Sequence, residues 1–95
     1  MPHTAFRFLL YIAGDTENSR SAVAALNTLC AEHLGDRHEI EIVDVFCEPK
    51  RALSDGILMT PTLVKLAPAP VRRVVGTLEE TELVLRALGL QGLVQ

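Results

Sequence analysis

The sequence predicts a single α/β domain with a parallel N-terminal half and an antiparallel C-terminal half. Segment 6–12 is rich in aromatic and branched residues on both faces, as in a central strand covered on both sides. A helical repeat and a second strand-like segment, 40–46, follow it, and a strand, a helix and a strand in this order form a parallel, right-handed unit. Farther along, the proline-rich stretch 60–76 contains two short apolar segments separated by a turn, which predicts a hairpin.

The first helix is predicted between the two parallel strands. Its N-cap is Thr16 or Ser19, because a short hydroxyl side chain accepts a hydrogen bond from a free backbone N–H group at a helix start. Apolar residues recur behind the cap at helical spacing, and the helix is expected to run to about 33–34, where Gly35 supplies the stop. The residues predicted on its buried face are Ala22, Leu26, Leu29 and Cys30.

A second, shorter helix and the two hairpin strands are predicted next. The helix spans 48–56, because Pro49 suits the first helical position and Gly56 suits the exit. The hairpin strands are predicted at 63–66 and 71–75, on either side of the proline-rich turn.

The last predicted element is ambiguous. Thr77 and Glu80 have the spacing of a capping box, which predicts a helix that ends at Gly89. Segment 83–85, however, is apolar on every face and suits a buried strand as well as a helix. Two packings of the C-terminal half are therefore open, alongside one ordinary fold with a fixed cis proline at Pro61.

The element order β-α-β-α-β-β-α is the thioredoxin-like arrangement. Such folds carry a cis proline just before the third strand, and Thr60-Pro61-Thr62 fits this position. X-Pro bonds adopt the cis form far more readily than other peptide bonds, and they exchange slowly. Three of the five prolines lie within 61–70, so this stretch can hold one backbone arrangement and still have access to another.

Composition narrows the class of partner. The net charge is −3 and no basic stripe dominates, which argues against nucleic acid. The longest nearly uncharged apolar run, 8–14, is too short to cross a membrane, and segment 1–7 lacks the layout of a signal peptide. We therefore expect a cytoplasmic protein with reduced cysteines. The single domain is expected to span 1–95, with a loose tail over about 90–95.

No known pattern of catalytic or cofactor-binding residues is found. Thioredoxin-like oxidoreductases place Cys-x-x-Cys at the start of the first helix, where this chain has segment 14–19 without a cysteine. Cys30 and Cys47 are interpreted as core or incidental residues. The three histidines lack the spacing of a metal site. We expect no enzymatic activity, no metal and no cofactor.

Basic side chains form the remaining candidate site. Lys50 and Arg51 lie in the short helix, and Lys65, Arg72 and Arg73 lie on the hairpin. Arg72 and Arg73 are neighbours on a strand, so their side chains are predicted to point to opposite faces. These charges are either ordinary solvated residues or a docking patch for an acidic protein surface.

A set of short motifs is distributed along nearly the whole chain, from about residue 6 to residue 90. The motifs are Leu10-Tyr11-Ile12-Ala13-Gly14, Asn18-Ser19, Ile42-Val43-Asp44-Val45, Pro49, Thr60-Pro61-Thr62-Leu63 and Pro68-Ala69-Pro70-Val71-Arg72-Arg73-Val74-Val75-Gly76. In this order and spacing they resemble the KaiB family of circadian-clock proteins. Three positions depart from the usual family pattern: Ala69 interrupts a proline triplet, Thr77 replaces an acidic residue, and Gly56 replaces a lysine.

The resemblance implies a non-enzymatic regulator that binds the KaiC ATPase ring and helps to set its phosphorylation state. It implies KaiA or a histidine kinase as a further partner. KaiB proteins interconvert between a thioredoxin-like fold that binds KaiC and a ground-state βαββααβ arrangement that forms homo-dimers or homo-tetramers. The N-terminal β-α-β half is common to both, and the ground-state arrangement is the one expected for the protein crystallised alone.

Together, the basic residues and the resemblance give two sets of candidate site residues. Expected at the fold switch are Pro61, Pro68, Pro70, Gly76 and Thr77. Expected at the partner surface are Tyr11, Lys50, Arg51, Lys65, Arg72 and Arg73. Two other functions stay open. One is a redox-inactive thioredoxin-like adaptor, or the sensor domain of a clock-output histidine kinase; the other is a thioredoxin-like redox enzyme that uses one cysteine.

Overall fold

The computed structural model describes residues 6–76 and 78–90 of the chain. Its elements are β1 Phe6–Ile12, α1 Glu17–His33, β2 His38–Asp44, α2 Pro49–Ser54, β3 Thr62–Ala67, β4 Arg72–Val75 and α3 Thr81–Ala87. The four strands form one sheet in the order β2-β1-β3-β4. The predicted β-α-β-α-β-β-α order is therefore confirmed.

Strand β1 is central in the sheet, as its two apolar faces predicted. It pairs in parallel with β2, where Leu10 lies opposite Ile42, and antiparallel with β3, where Leu10 lies opposite Leu63. Leu10 and Tyr11 point to opposite faces, and both are fully buried. Strands β3 and β4 form the predicted antiparallel hairpin.

Strand β2 lies two residues earlier than predicted, at His38–Asp44 instead of 40–46. It ends because the backbone turns immediately after Asp44. The Asp44 carboxylate accepts a 2.9 Å hydrogen bond from the N–H of Phe46, and the Asp44 carbonyl accepts bonds from two N–H groups farther along. Aspartate side chains commonly close turns in this way. The apolar residues Val45 and Phe46 therefore belong to a turn and not to the strand.

Helix α1 begins and ends where predicted. Of the two candidate caps, Thr16 is the N-cap, and its hydroxyl accepts a 3.1 Å hydrogen bond from the N–H of Ser19. Gly35 follows the helix with φ of +61°, a backbone conformation that favours glycine. The predicted buried face is confirmed, and its members are Ala22, Leu26, Leu29 and Cys30.

Helix α3 begins later than predicted, at Thr81, and the capping box was wrong. Glu80 is the N-cap and makes no side-chain capping bond, while Thr77 lies outside the described residues. Leu78 is buried in the same core as α3, so the chain is anchored there before the helix starts. Segment 83–85 is helical, and the structure therefore has the thioredoxin-like packing of the C-terminal half.

The bonds Thr60–Pro61, Ala67–Pro68 and Ala69–Pro70 are cis. The cis proline predicted before β3 is thus confirmed at Pro61. The ground-state arrangement, which was expected for the protein crystallised alone, is not the arrangement described here, and its occurrence stays a prediction. The predicted loose tail lies outside the described residues from 91 onward.

Two apolar cores lie on opposite faces of the sheet. The larger core joins one face of β1 and β3 to α1 and α3 through side chains such as Leu10, Leu63 and Leu85. The smaller core lies under α2 and contains Leu9, Tyr11, Val43, Ala52 and Val64. Helix α2 has six residues and buries only Ala52 among them, so it covers its face of the sheet thinly.

The described part of the chain has three helices of different lengths. Helix α1 has 17 residues, and α2 and α3 have six and seven. Within residues 6–76 and 78–90, none is long and apolar enough to cross a membrane.

A candidate docking face at the short helix α2

The start of α1, where thioredoxin-like oxidoreductases hold their cysteines, carries no thiol here. A cleft of about 360 Å³ lies at this point, between the first turns of α1 and the chain around Pro61. Its lining includes the polar residues Glu17, Asn18, Ser21 and Thr60. This cleft therefore lacks the nucleophile that thiol–disulfide chemistry requires.

The two cysteines lie away from that cleft, in unlike surroundings. Cys30 is fully buried in the α1 core, and burial raises the pKa of its thiol to about 11. Cys47 is exposed in the turn after β2. Because the thiolate is the reactive form, the buried thiol is held in its unreactive state near neutral pH. Across the described ranges, no three His, Cys, Asp or Glu side chains are placed to hold a metal ion.

Exposed apolar side chains lie at the C-terminal end of α2 and in the segment that follows it. Leu53 is 78% exposed, Leu58 is 94% exposed and Met59 is 61% exposed. The N–H of Ile57 donates a 2.9 Å hydrogen bond to the carbonyl of Ala52, which holds the segment after α2 against the helix. Large apolar side chains exposed together in this way are typical of interaction surfaces. We use the name docking face for Lys50, Arg51, Leu53, Leu58 and Met59.

Arg51 on the docking face is held by two carboxylates. Its guanidinium donates to both oxygens of Glu41 on β2, at 2.7 and 2.8 Å, and to Glu48 at 3.4 Å. The hydrogen bond from Arg51 lowers the pKa of the Glu41 carboxyl, and the bond to Glu41 raises the pKa of Arg51. Lys50, the neighbouring cation, is exposed and forms no ion pair with the rest of the described chain. The two cations of this helix are thus not equivalent.

Tyr11 links strand β1 to the end of α2 through a hydrogen bond. It is fully buried, and its hydroxyl donates a hydrogen bond to the carboxylate of Asp55. Burial, and then the hydrogen bond and the charge of Asp55, raise the pKa of Tyr11 to about 12. In this arrangement Tyr11 supports the docking face and presents no surface of its own. Its predicted contact with a partner remains untested.

The two neighbouring arginines of β4 point to opposite faces of the sheet, as predicted. The guanidinium of Arg73 donates to the carbonyls of Asp55 and Gly56, and the second of these bonds is 3.4 Å long. Arg73 therefore ties the edge strand to the exit of α2, next to the docking face. Arg72 lies on the other face, close to Gly89. A Cβ atom added to Gly89 would lie 3.8 Å from the Nε atom of Arg72.

Lys65 is not on the docking face. It is 2% exposed, and its ammonium donates a 2.9 Å hydrogen bond to the carbonyl of Pro68 in the hairpin turn. Burial, and then the charge of Arg72, lower the pKa of Lys65. In this arrangement Lys65 positions the proline-rich turn, and its predicted role in partner binding remains untested.

The residues predicted for the fold switch lie at both ends of the hairpin. At the open end, the N–H of Gly76 donates a 2.8 Å hydrogen bond to the carbonyl of Pro61. Gly76 has φ of +100°, which favours glycine. Pro68 and Pro70 lie together at the turn, and Thr77 lies outside the described residues. Their role in switching stays a prediction.

Sequence reasoning missed the apolar part of the docking face and the carboxylates behind it. The signal for the apolar part was the run 57–59, which follows a predicted helix exit and has no strand pattern. No local signal pairs Glu41 with Arg51 or Tyr11 with Asp55, because each pair joins separate elements.

Replacing Tyr11 with phenylalanine is expected to remove part of the loss of stability at alkaline pH. The folded-state pKa of Tyr11 is about 12 against an ordinary value of 10.0, so folding disfavours the tyrosinate. The stabilisation is present below pH 10 and is lost as pH rises through 12, by at most about 3 kcal/mol. Urea unfolding at several pH values from about 8 to about 12 measures this loss of stability.

The thiol of Cys30 also titrates in the alkaline range, because burial raises its pKa from an ordinary value of 9.0 to about 11 in the folded state. It contributes the same loss to the parent protein and to Tyr11→Phe, so the difference between the two isolates Tyr11. Equal alkaline slopes for the two proteins would contradict the assignment.

Comparison with known proteins places this fold and these residues in a family. The KaiB domain matches residues 9–90. The chain is 42% identical over 81 residues to "Circadian clock protein KaiB3" of Synechocystis sp., covering 85% of this chain and 79% of that protein. It is 43% identical over 90 residues to "Circadian clock oscillator protein KaiB" of Synechococcus sp., covering 94% of this chain and 81% of that protein.

Solved structures with low sequence identity share the fold. The N-terminal domain of Synechococcus elongatus SasA superposes with a TM-score of 0.76 at 19% identity, covering 100% of this chain and 90% of that one. Chloroplastic thioredoxin z superposes with a TM-score of 0.74 at 18% identity, covering 95% of this chain and 81% of that one. At these identities the likeness concerns the fold alone, and it supports the thioredoxin-like arrangement.

Proposed function

The chain belongs to the KaiB family, and from this premise we propose that it is a clock-related regulator that binds a KaiC-type ATPase hexamer. It acts by protein–protein contact and modulates the phosphorylation or ATPase cycle of that partner, without catalysing a reaction itself. The observation that carries the proposal is the docking face, where leucine and methionine side chains are exposed beside two cations.

The chemistry of the docking face favours a protein partner over a small molecule. Its apolar side chain Leu58 is almost fully exposed, and the depression that Leu58 and Met59 line measures only about 170 Å³. Small-molecule sites are instead concave and usually larger, at roughly 300–1,000 Å³. Apolar side chains with charges at their rim are typical of protein interfaces, where the charges steer association. We expect the partner to present an apolar surface with carboxylates beside it.

The state of the two thiols supports a contact-based function over a redox function. Cys30 is buried with a raised pKa, and the cleft at the start of α1 has no thiol in its lining. A thiol oxidoreductase needs an accessible, low-pKa cysteine at that helix start. The same features are also compatible with the alternative function, a redox-inactive thioredoxin-like adaptor.

The proposal also includes a change of fold in the C-terminal half of the chain. Helices α2 and α3 have six and seven residues, and isolated helices of this length are unstable in water. Their stability therefore comes from few buried side chains, and two packings of one sequence that differ by a few kcal/mol are known in rare proteins. Homo-dimers or homo-tetramers would belong to the second packing, and KaiA or a histidine kinase would be further partners.

The test is binding of the purified chain to a KaiC-type hexamer from the same genome. We expect co-elution with the hexamer on size exclusion and a changed rate of ATP hydrolysis or phosphorylation. A variant with Cys30→Ser and Cys47→Ser is expected to bind equally well and to show, like the parent, no disulfide reductase activity. Absence of binding to every KaiC homologue of that genome would overturn the proposal. Loss of function in a double cysteine variant that thermal unfolding shows to be folded would favour the redox enzyme.

A further inference from the structure

The docking face carries a cation that is already engaged within the molecule. Both terminal nitrogens of the Arg51 guanidinium donate hydrogen bonds to Glu41, which lies on the edge strand β2 and not on α2. Lys50, by contrast, forms no ion pair with the described residues. A partner carboxylate that approaches the face therefore meets one available cation and one that is neutralised.

We propose that Glu41 masks Arg51, and that a carboxylate of the docked partner replaces Glu41 on the guanidinium. This inference rests on the proposed function, because the partner is the KaiC-type hexamer. The chemistry recognised is an acidic side chain on a protein surface, since the planar fork of arginine matches a carboxylate with two hydrogen bonds. Glu41 thereby sets how strongly the face discriminates in favour of acidic partners.

The geometry permits this exchange at low cost. The side chain of Glu41 is 55% exposed and that of Arg51 is 35% exposed, so the pair is solvated and weak. Arg51 is the less exposed of the two and is therefore the better anchored. Glu48 also contacts Arg51 at 3.4 Å and can keep it in place when Glu41 leaves.

The chain offers a matched control two residues away. Glu39 lies on the same strand and the same face as Glu41, and it pairs with Arg7 at 3.7 Å. Glu39→Gln and Glu41→Gln change the net charge equally, but only the second releases Arg51. Any general effect of charge on the approach of an acidic partner is therefore common to both variants.

The experiment is titration of the KaiC-type hexamer with the parent chain, Glu41→Gln, Glu39→Gln, Arg51→Gln and the double variant Glu41→Gln/Arg51→Gln. We expect Glu41→Gln to bind about two- to fivefold more tightly than Glu39→Gln, the range expected for release of an exposed ion pair. Arg51→Gln is expected to weaken binding, and Glu41→Gln in the Arg51→Gln background is expected to tighten binding no more than Glu39→Gln does in the parent. Glu41→Ala provides a second test in the same direction, and thermal unfolding checks that each variant is folded.

The outcomes separate this inference from the proposed function. If the parent binds the hexamer and Glu41→Gln and Glu39→Gln behave alike, the inference is overturned and the proposed function stands. A gain of the double variant over Arg51→Gln that exceeds the gain of Glu39→Gln over the parent also overturns it, because Arg51 would not be the group released. Absence of binding by the parent overturns the proposed function and this inference together.

Discussion

Replacing Leu58 with aspartate is expected to weaken binding to a KaiC-type hexamer about 100-fold, the size of effect seen at interface hot spots. Leu58 is the most exposed large apolar side chain of the described residues and belongs to the apolar part of the docking face. A carboxylate there would lose the apolar contact and would meet the acidic surface that Lys50 and Arg51 are expected to attract. Isothermal titration of the hexamer measures the change in affinity.

The fold itself is expected to tolerate Leu58→Asp, because the side chain is 94% exposed and surface substitutions usually change stability by no more than about 0.5 kcal/mol. Leu83→Asp is the matched control, since Leu83 is a leucine 57% exposed on α3, which packs on the opposite face of the sheet. Equal loss of binding in both variants would point to a general effect of charge. Unchanged binding in Leu58→Asp would remove the docking face from the proposal.

The elements that the sequence predicted well are those whose signals are local. The two apolar faces of 6–12, the hydroxyl cap at Thr16 and the Pro49 start of the short helix each describe their own segment. The two largest boundary errors, at the end of β2 and the start of α3, depend on other parts of the chain or on side-chain bonds. Asp44 ends β2 by closing a turn, and Leu78 delays α3 by packing into the core.

The docking face was predictable only in part, for the same reason. Lys50 and Arg51 were candidates because they are basic residues of the predicted short helix. Lys65 carries the same charge, but its position on β3 buries it, and strand alternation alone does not show which face is covered. The exposure of Leu58 depends on how the segment after α2 folds back on the helix, which no local pattern encodes.

Replacing Leu85 with alanine is expected to lower the free energy of unfolding by about 3 kcal/mol, as for other fully buried leucines. Leu85 is fully buried in the larger core and is one of only two buried residues of the seven-residue helix α3. The cavity would lie between α3 and the sheet, so α3 would lose most of what holds it in place. Urea unfolding followed by circular dichroism measures the loss.

The control for this prediction lies in the same helix. Leu83→Ala removes the same atoms from a side chain that is 57% exposed, so it is expected to change stability by no more than about 0.5 kcal/mol. If Leu85 holds mainly the C-terminal half, hydrogen exchange in Leu85→Ala should accelerate in α3 before it accelerates in β1, which is central and buried on both faces. Equal acceleration in α3 and β1 would show that the two elements unfold as one cooperative unit. Detaching α3 alone would then be costly, which would contradict the argument for a second packing of the C-terminal half.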